Sequence, residues 1–234
     1  MKQPHSRAEP KHRLMTRLWH WVNAAALIIL FMSGLNIFNA HPRLYWGSYG
    51  SWGDPAWLQL SRFPGWATIP GYYSLADARM WHFFFAWVLA LSLLVFMVVS
   101  LINRHFQRDV HITRNEWRWS TLRSDIAQHL RGNFTHGGGT YNVLQKITYA
   151  VVLFVALPLM IFTGLTMSPA MAANWPWLLD IFGGRQSARS IHFIVTWALF
   201  AFFVLHIALV LLSGPLRQVR DMITGGTREP EEHI

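Results

Sequence analysis

The chain has 234 residues, 53% hydrophobic and 13% charged, a balance that points to a membrane protein. It has no cysteine, which excludes disulfides, thiolate–zinc sites, iron–sulfur clusters and a thioether-attached haem. A formal charge of +9 does not indicate nucleic acid here, because the basic residues lie in short stretches between apolar runs and read as topology.

Residues 1–17 form a polar, basic tail, and residues 18–38 the first apolar run. A secretory leader would have a shorter apolar core, and Phe38-Asn39-Ala40 is a poor small-x-small cleavage site. The run therefore reads as a retained first span. Three more runs, about 80–102, 147–167 and 191–213, are also long enough to cross a bilayer. Together they define an expected four-span domain over residues 18–215, followed by a tail of residues 216–234. Fifteen of the 20 lysines and arginines fall in the two tails and the loop between the second and third runs. The positive-inside rule then expects both termini and that loop in the cytoplasm. The expected fold class is an all-α, multi-pass four-helix bundle in the bacterial inner membrane.

The first outer loop, Asn39 to Arg79, is too long for a simple turn and is rich in tryptophan and tyrosine. Such rings favour the headgroup layer, and equally suit a docking surface for a partner outside the membrane. Asp54-Pro55 is a candidate start for a short helix within it. Ser74-x-x-Asp77 resembles a capping box and predicts a helix from about Leu75. In the cytoplasmic loop, Asn115 to Leu130 can form a helix with Trp119, Leu122 and Ile126 on one side, ended by Gly132 and lying on the inner membrane surface. The second outer loop is short and contains Trp175-Pro176-Trp177 and Gly183-Gly184.

Of the 12 histidines, four fall inside spans: His20, His82, His192 and His206. Ionisable groups within a bilayer are costly and mark function. Fourteen residues separate His192 from His206. That is almost four helical turns, which puts both imidazoles on nearly one face, about 21 Å apart along the axis. Two metal centres stacked across the membrane would suit that spacing. The second and fourth spans start outside and the first starts inside, so depth pairs His82 with His192 and His20 with His206. Gly34 follows His20 by the same 14 residues, and glycine there lets a planar macrocycle approach the backbone; Gly164 on the third span is a similar candidate. Ordinary small-residue helix packing is the plainer explanation for both glycines. Arg17, Arg79 and Arg189 each precede a histidine by three residues, one turn nearer water on the same face. An arginine at a helix N-terminus opposes the macrodipole, so an anion such as a haem propionate is a fitting partner. The alternative is that these arginines only bound the membrane.

Arg17-Leu-Trp-His20-Trp, Ser33-Gly34-Leu, Thr163-Gly164-Leu and the His192/His206 pair resemble the di-haem cytochrome b membrane subunits of bacterial oxidoreductases. That family includes the gamma subunit of formate dehydrogenase-N and the b-type subunits of Ni,Fe-hydrogenase and thiosulfate reductase. The resemblance covers the four spans. It implies two bis-histidine b haems, a quinone site near the cytoplasmic haem and an extracytoplasmic redox subunit, such as a molybdenum oxidoreductase. In such proteins polar residues at the cytoplasmic start of the third helix contact quinone; Asn142, Gln145 and Lys146 occupy that region here. The implied role is electron transfer in a membrane oxidoreductase complex. Two other readings compete: a stand-alone quinone oxidoreductase of the superoxide-oxidising kind, and a metal or proton transporter. Against the transporter, no span carries Asp or Glu and the histidines separate into two levels.

Overall fold

The computed structural model describes residues 13–103, 117–130 and 143–226. Four helical stretches are long and apolar enough to cross a membrane: α1 (Leu14–Phe38), α2 (Leu75–Ile102), the third span Val143–Met167, and α8 (Arg185–Leu212). α1, the third span and α8 begin before their expected starts, because the polar first turn of a span is helical although its composition is interfacial. The α2 start agrees with the capping signal, and the Asp77 amide donates to Ser74 Oγ over 3.3 Å. Large apolar side chains along the spans, including Leu91, Leu94 and Leu205, are exposed on the chain itself. For a membrane helix that is the lipid-facing surface, not a defect.

The third span is made of α4 (Val143–Val151), a π-helical turn over Val152–Ala156 and α5 (Leu157–Met167). Pro158 explains the interruption. It offers no amide proton, and its ring would collide with the carbonyl four residues back, Phe154, so the wider turn takes up the mismatch.

The chain forms two compact units. One contains residues 1–22, 92–148 and 204–234. Within it, α3 (Trp119–Leu130) lies where a cytoplasmic helix was expected, and Trp119 and Ile126 are exposed. Asp125 of α3 is buried, and its Oδ2 accepts from the Leu144 amide over 3.2 Å. A side chain 19 residues away thus satisfies one of the open donors of the α4 N-terminus. Gly132 lies outside the described residues. The same unit includes α9 (Pro215–Thr224), whose Leu216, Val219 and Ile223 form an exposed apolar stripe. Arg17 and Trp21, one turn apart on α1, donate to the Ile223 and Met222 carbonyls of its last turn. Those carbonyls have no helical partner of their own, and a guanidinium at a helix C-terminus also complements the macrodipole.

The other unit contains residues 23–91 and 149–203. The long loop over residues 39–74 is held by polar side chains at the ends of two spans. From α1, Asn36 Nδ2 donates to the Pro70 and Tyr72 carbonyls at 2.9 Å, and Asn39 bonds both backbone groups of Phe63. From α8, the Gln186 and Ser187 amides donate to the Gly47 carbonyl at 3.0 and 3.1 Å. The loop therefore caps the start of α8. It comes so close that a Cβ on Gly184 would sit 2.6 Å from the Gly47 carbonyl, so only glycine fits there. β1 (Arg43–Leu44) and β2 (Leu58–Gln59) pair antiparallel. The expected helix at Asp54-Pro55 does not form. Asp54 instead closes a turn back to the Ser51 amide over 2.7 Å, and pairing with β1 draws the following chain into an extended path. The second outer connection folds as α6 (Pro169–Asn174) and α7 (Trp177–Phe182), with α7 ended by left-handed Gly183.

Ser190 ties this platform to α8. It is fully buried, donates to the Tyr45 carbonyl at 2.6 Å and accepts from Trp57 Nε1 at 2.9 Å. Ser190→Ala strands both partners, at a cost of about 1–3 kcal/mol. The expected result is thermal unfolding of the detergent-solubilised protein several degrees lower, with faster proteolysis between residues 45 and 60. An unchanged melting temperature and cleavage pattern would mean that the loop is held elsewhere.

Candidate haem-binding site

The four span histidines meet in twos, one pair in each unit. The rings of His82 on α2 and His192 on α8 have their centres 6.3 Å apart with planes at 56°. Those of His20 on α1 and His206 on α8 are also 6.3 Å apart, at 57°. These are the two pairs that depth along the spans had matched.

The separation is compatible with a metal held between the rings. Two imidazoles that bind one metal from opposite sides, through bonds of about 2.0 Å, with each ring nitrogen about 1.1 Å from its ring centre, have centres about 6.2 Å apart. Among the described residues, no cluster of three or more His, Asp or Glu could hold a bare metal ion. A pair of imidazoles suffices only if the remaining ligands come from elsewhere. A tetrapyrrole supplies four, so the donor set fits a haem iron with two axial histidines.

Around the His82–His192 pair the spans are cut away and polar at matching points. On α1, Ser33 Oγ lies 3.0 Å from His82 Nδ1, and a Cβ on Gly34 would lie 3.4 Å from His82 Cε1. On α5, Thr163 Oγ1 lies 2.8 Å from His192 Nδ1, and a Cβ on Gly164 would lie 3.7 Å from His192 Cε1. The two glycines thus lie against the imidazole rings of His82 and His192, where a macrocycle contact was expected for them. Ser33 and Thr163 are fully buried. Reading the sequence singled out the glycines and passed over the hydroxyls before them, although Ser-Gly-Leu and Thr-Gly-Leu are the same motif twice. Around the other pair, Trp21 stands edge-on to His20 at 5.0 Å, and Trp19 stacks on Phe96 at 4.3 Å.

The three arginines differ. Arg17 engages the Ile223 carbonyl. Arg189 donates to the His41 carbonyl at 2.5 Å and lies over the Phe38 ring. Arg79 is exposed and lies over Phe83. His41 itself, in the outer loop, is held below the ordinary imidazole range by burial and then by the charges of Arg189 and Arg43. Of the candidate quinone residues, Gln145 is exposed and Lys146 half-buried in the first turn of α4, while Asn142 lies outside the described residues.

Comparison with known proteins places this chain in a family. The chain is 27% identical over 203 residues to a protein of Azospira oryzae named for a protein-methionine-sulfoxide reductase subunit, YedZ1, covering 86% of this chain and 90% of that one. It is 24% identical over 234 residues to a Ni/Fe-hydrogenase B-type cytochrome subunit of Cupriavidus necator, covering 89% and 82%. The corresponding protein of Azotobacter vinelandii is 24% identical over 204 residues, covering 82% and 76%. No solved structure matches. Residues 11–225 match the family described as prokaryotic cytochrome b561. The chain belongs to that family of membrane cytochromes, whose name implies haem b.

Proposed function

We propose that the chain carries electrons across the membrane between an extracytoplasmic redox subunit and the quinone pool, using two bis-histidine b haems. The observation that carries this reading is the repeated imidazole spacing of 6.3 Å in two separate units of the chain. A haem iron with two imidazole ligands has no open position and supplies one-electron transfer rather than oxygen chemistry. His82 and His192 hold one haem and His20 and His206 the other. On the charge pattern of the sequence, the first pair lies toward the outer ends of its spans and the second toward the cytoplasm, with both termini inside.

The residues around the pairs keep the ligands fixed and water away. Gly34 and Gly164 let the rings of His82 and His192 lie against helix backbone, and Arg79 and Arg189 supply positive charge for propionates at the outer level. Arg17 serves the inner level in the same way. The outer platform, ringed by exposed Trp46, Tyr49 and Trp52, suits a partner that delivers or accepts electrons. The names of the relatives, a reductase subunit and hydrogenase cytochrome subunits, support a partner of the oxidoreductase class. Asn142, Gln145 and Lys146, at the cytoplasmic end of the third span, are the proposed quinone contacts. Protons taken up there on quinone reduction would come from the cytoplasm; flow from quinol to an outer acceptor uses the same residues in reverse.

Three results are expected. His82→Ala should remove one of two haems by pyridine haemochrome analysis and leave the optical and redox signature of the other, while His20→Ala should do the reverse. Equal loss of the same haem in both variants would contradict the pairing. Gly34→Leu should lower haem content at the His82 site with unchanged membrane insertion, since a branched side chain has no room beside the ring; parental content would reduce Gly34 to a packing residue. Asn142→Leu and Gln145→Leu should each weaken quinone-analogue binding and slow quinone-coupled haem oxidation. If both match the parent in titration and kinetics, the quinone site is not at the head of the third span.

A further inference from the structure

We infer that Ser33 and Thr163 are positioning residues that lock His82 and His192 in the tautomer with a proton on Nδ1 and a bare, metal-facing Nε2. The inference rests on the proposed ligand role of these histidines, and its argument is one of donor accounting. A hydroxyl has one proton and accepts through its lone pairs. Ser33 Oγ gives its proton to the Ile29 carbonyl at 2.7 Å, shared with Leu30 at 3.2 Å. Thr163 Oγ1 gives its proton to the Leu159 carbonyl at 2.6 Å, shared with Met160 at 3.2 Å. With that proton committed to its own helix, each oxygen meets the imidazole as an acceptor, so the ring nitrogen facing it, at 3.0 or 2.8 Å, carries hydrogen. A neutral imidazole with Nδ1 protonated keeps its free lone pair on Nε2, the atom needed for iron.

The two arrangements are copies on different spans. In both, a hydroxyl residue bonds back to the carbonyl four residues earlier, orients the ring and is followed by the glycine that makes room for it. Accepting a hydrogen bond from Nδ1–H also makes the imidazole a stronger donor and favours ferric iron. Removing either acceptor should therefore raise the potential of one haem and leave the other alone.

The test uses the full-length protein in detergent, comparing Ser33→Ala, Ser33→Thr, Thr163→Val and Thr163→Ser with the parent. Optical redox titration and low-temperature EPR report each haem. Ser33→Ala and Thr163→Val are expected to shift the ferrous-to-ferric balance of the same haem toward ferrous by roughly threefold to tenfold, tenfold being 59 mV for one electron. They should also move the EPR line of that haem, which reads the relative orientation of the imidazole planes. Ser33→Thr and Thr163→Ser keep the hydroxyl and should retain the parental potential and line. If Ser33→Ala loses haem outright, retention of the parental signature in Ser33→Thr still assigns the effect to the hydroxyl. Parental potentials and EPR in both hydroxyl-free variants would overturn the inference, as would conservative variants that behave like the deletions. A parent without two bis-histidine signals would instead overturn the ligand assignment itself, so the two failures are distinguishable.

Discussion

An imidazole inside a hydrocarbon layer has two polar nitrogens and no water to satisfy them, and much of this structure follows from that constraint. Each must find a partner, or the span that carries it is penalised by several kcal/mol. For His82 and His192, one nitrogen is met by a buried hydroxyl on a neighbouring span, and the two ring centres lie 6.3 Å apart. The pairing thus fixes which spans are neighbours: α1 beside α2 through Ser33, and α5 beside α8 through Thr163. The glycines next to those hydroxyls let the helices come close enough for the bonds to form.

The outer platform obeys the same rule by different means. Asn36, Asn39, Ser187 and Ser190 lie at span ends, are buried, and direct their polar atoms into loop backbone. A chain segment that would otherwise bring unpaired amides to the edge of the bilayer has many of them met by side chains from the spans. This leaves the loop tryptophans and tyrosines on the surface, where an amphipathic ring is stable against headgroups or against another protein.

How much of this was legible in the sequence depended on the range of the interaction. The four spans were readable because 18 or more apolar residues admit few alternatives, although the polar first turns were not, except that of α2, which Ser74 and Asp77 announced. The histidine pairs were readable because depth along a span is counted in residues, and a spacing of 14 recurs in His192/His206 and His20/Gly34. Ser33 and Thr163 were hidden in plain view. A serine or threonine inside a membrane helix commonly bonds its own backbone, and nothing local announces a second bond to a residue 49 or 29 positions away. The path of residues 39–74 was least readable, since it is set by contacts such as Gly47 with α8, 140 residues apart. The mistaken helix at Asp54 belongs to that class: the local signal was sound, and pairing of Leu58 with Leu44 outweighed it.

The hydroxyl bridges also bear on what can move through this part of the protein. In the inferred tautomer, each forms a short chain that runs from an imidazole Nδ1–H to a side-chain oxygen and from that hydroxyl to a helix carbonyl. Such a chain stops at an amide already engaged in its helix, which has no proton to pass on and no lone site to receive one. It is a dead end for a Grotthuss relay. With a haem at His82 and His192, as proposed, a change of charge there would be balanced by the surrounding dipoles rather than by a proton hopping through the imidazoles, which would electrically separate electron traffic at this level from the proton traffic of the membrane.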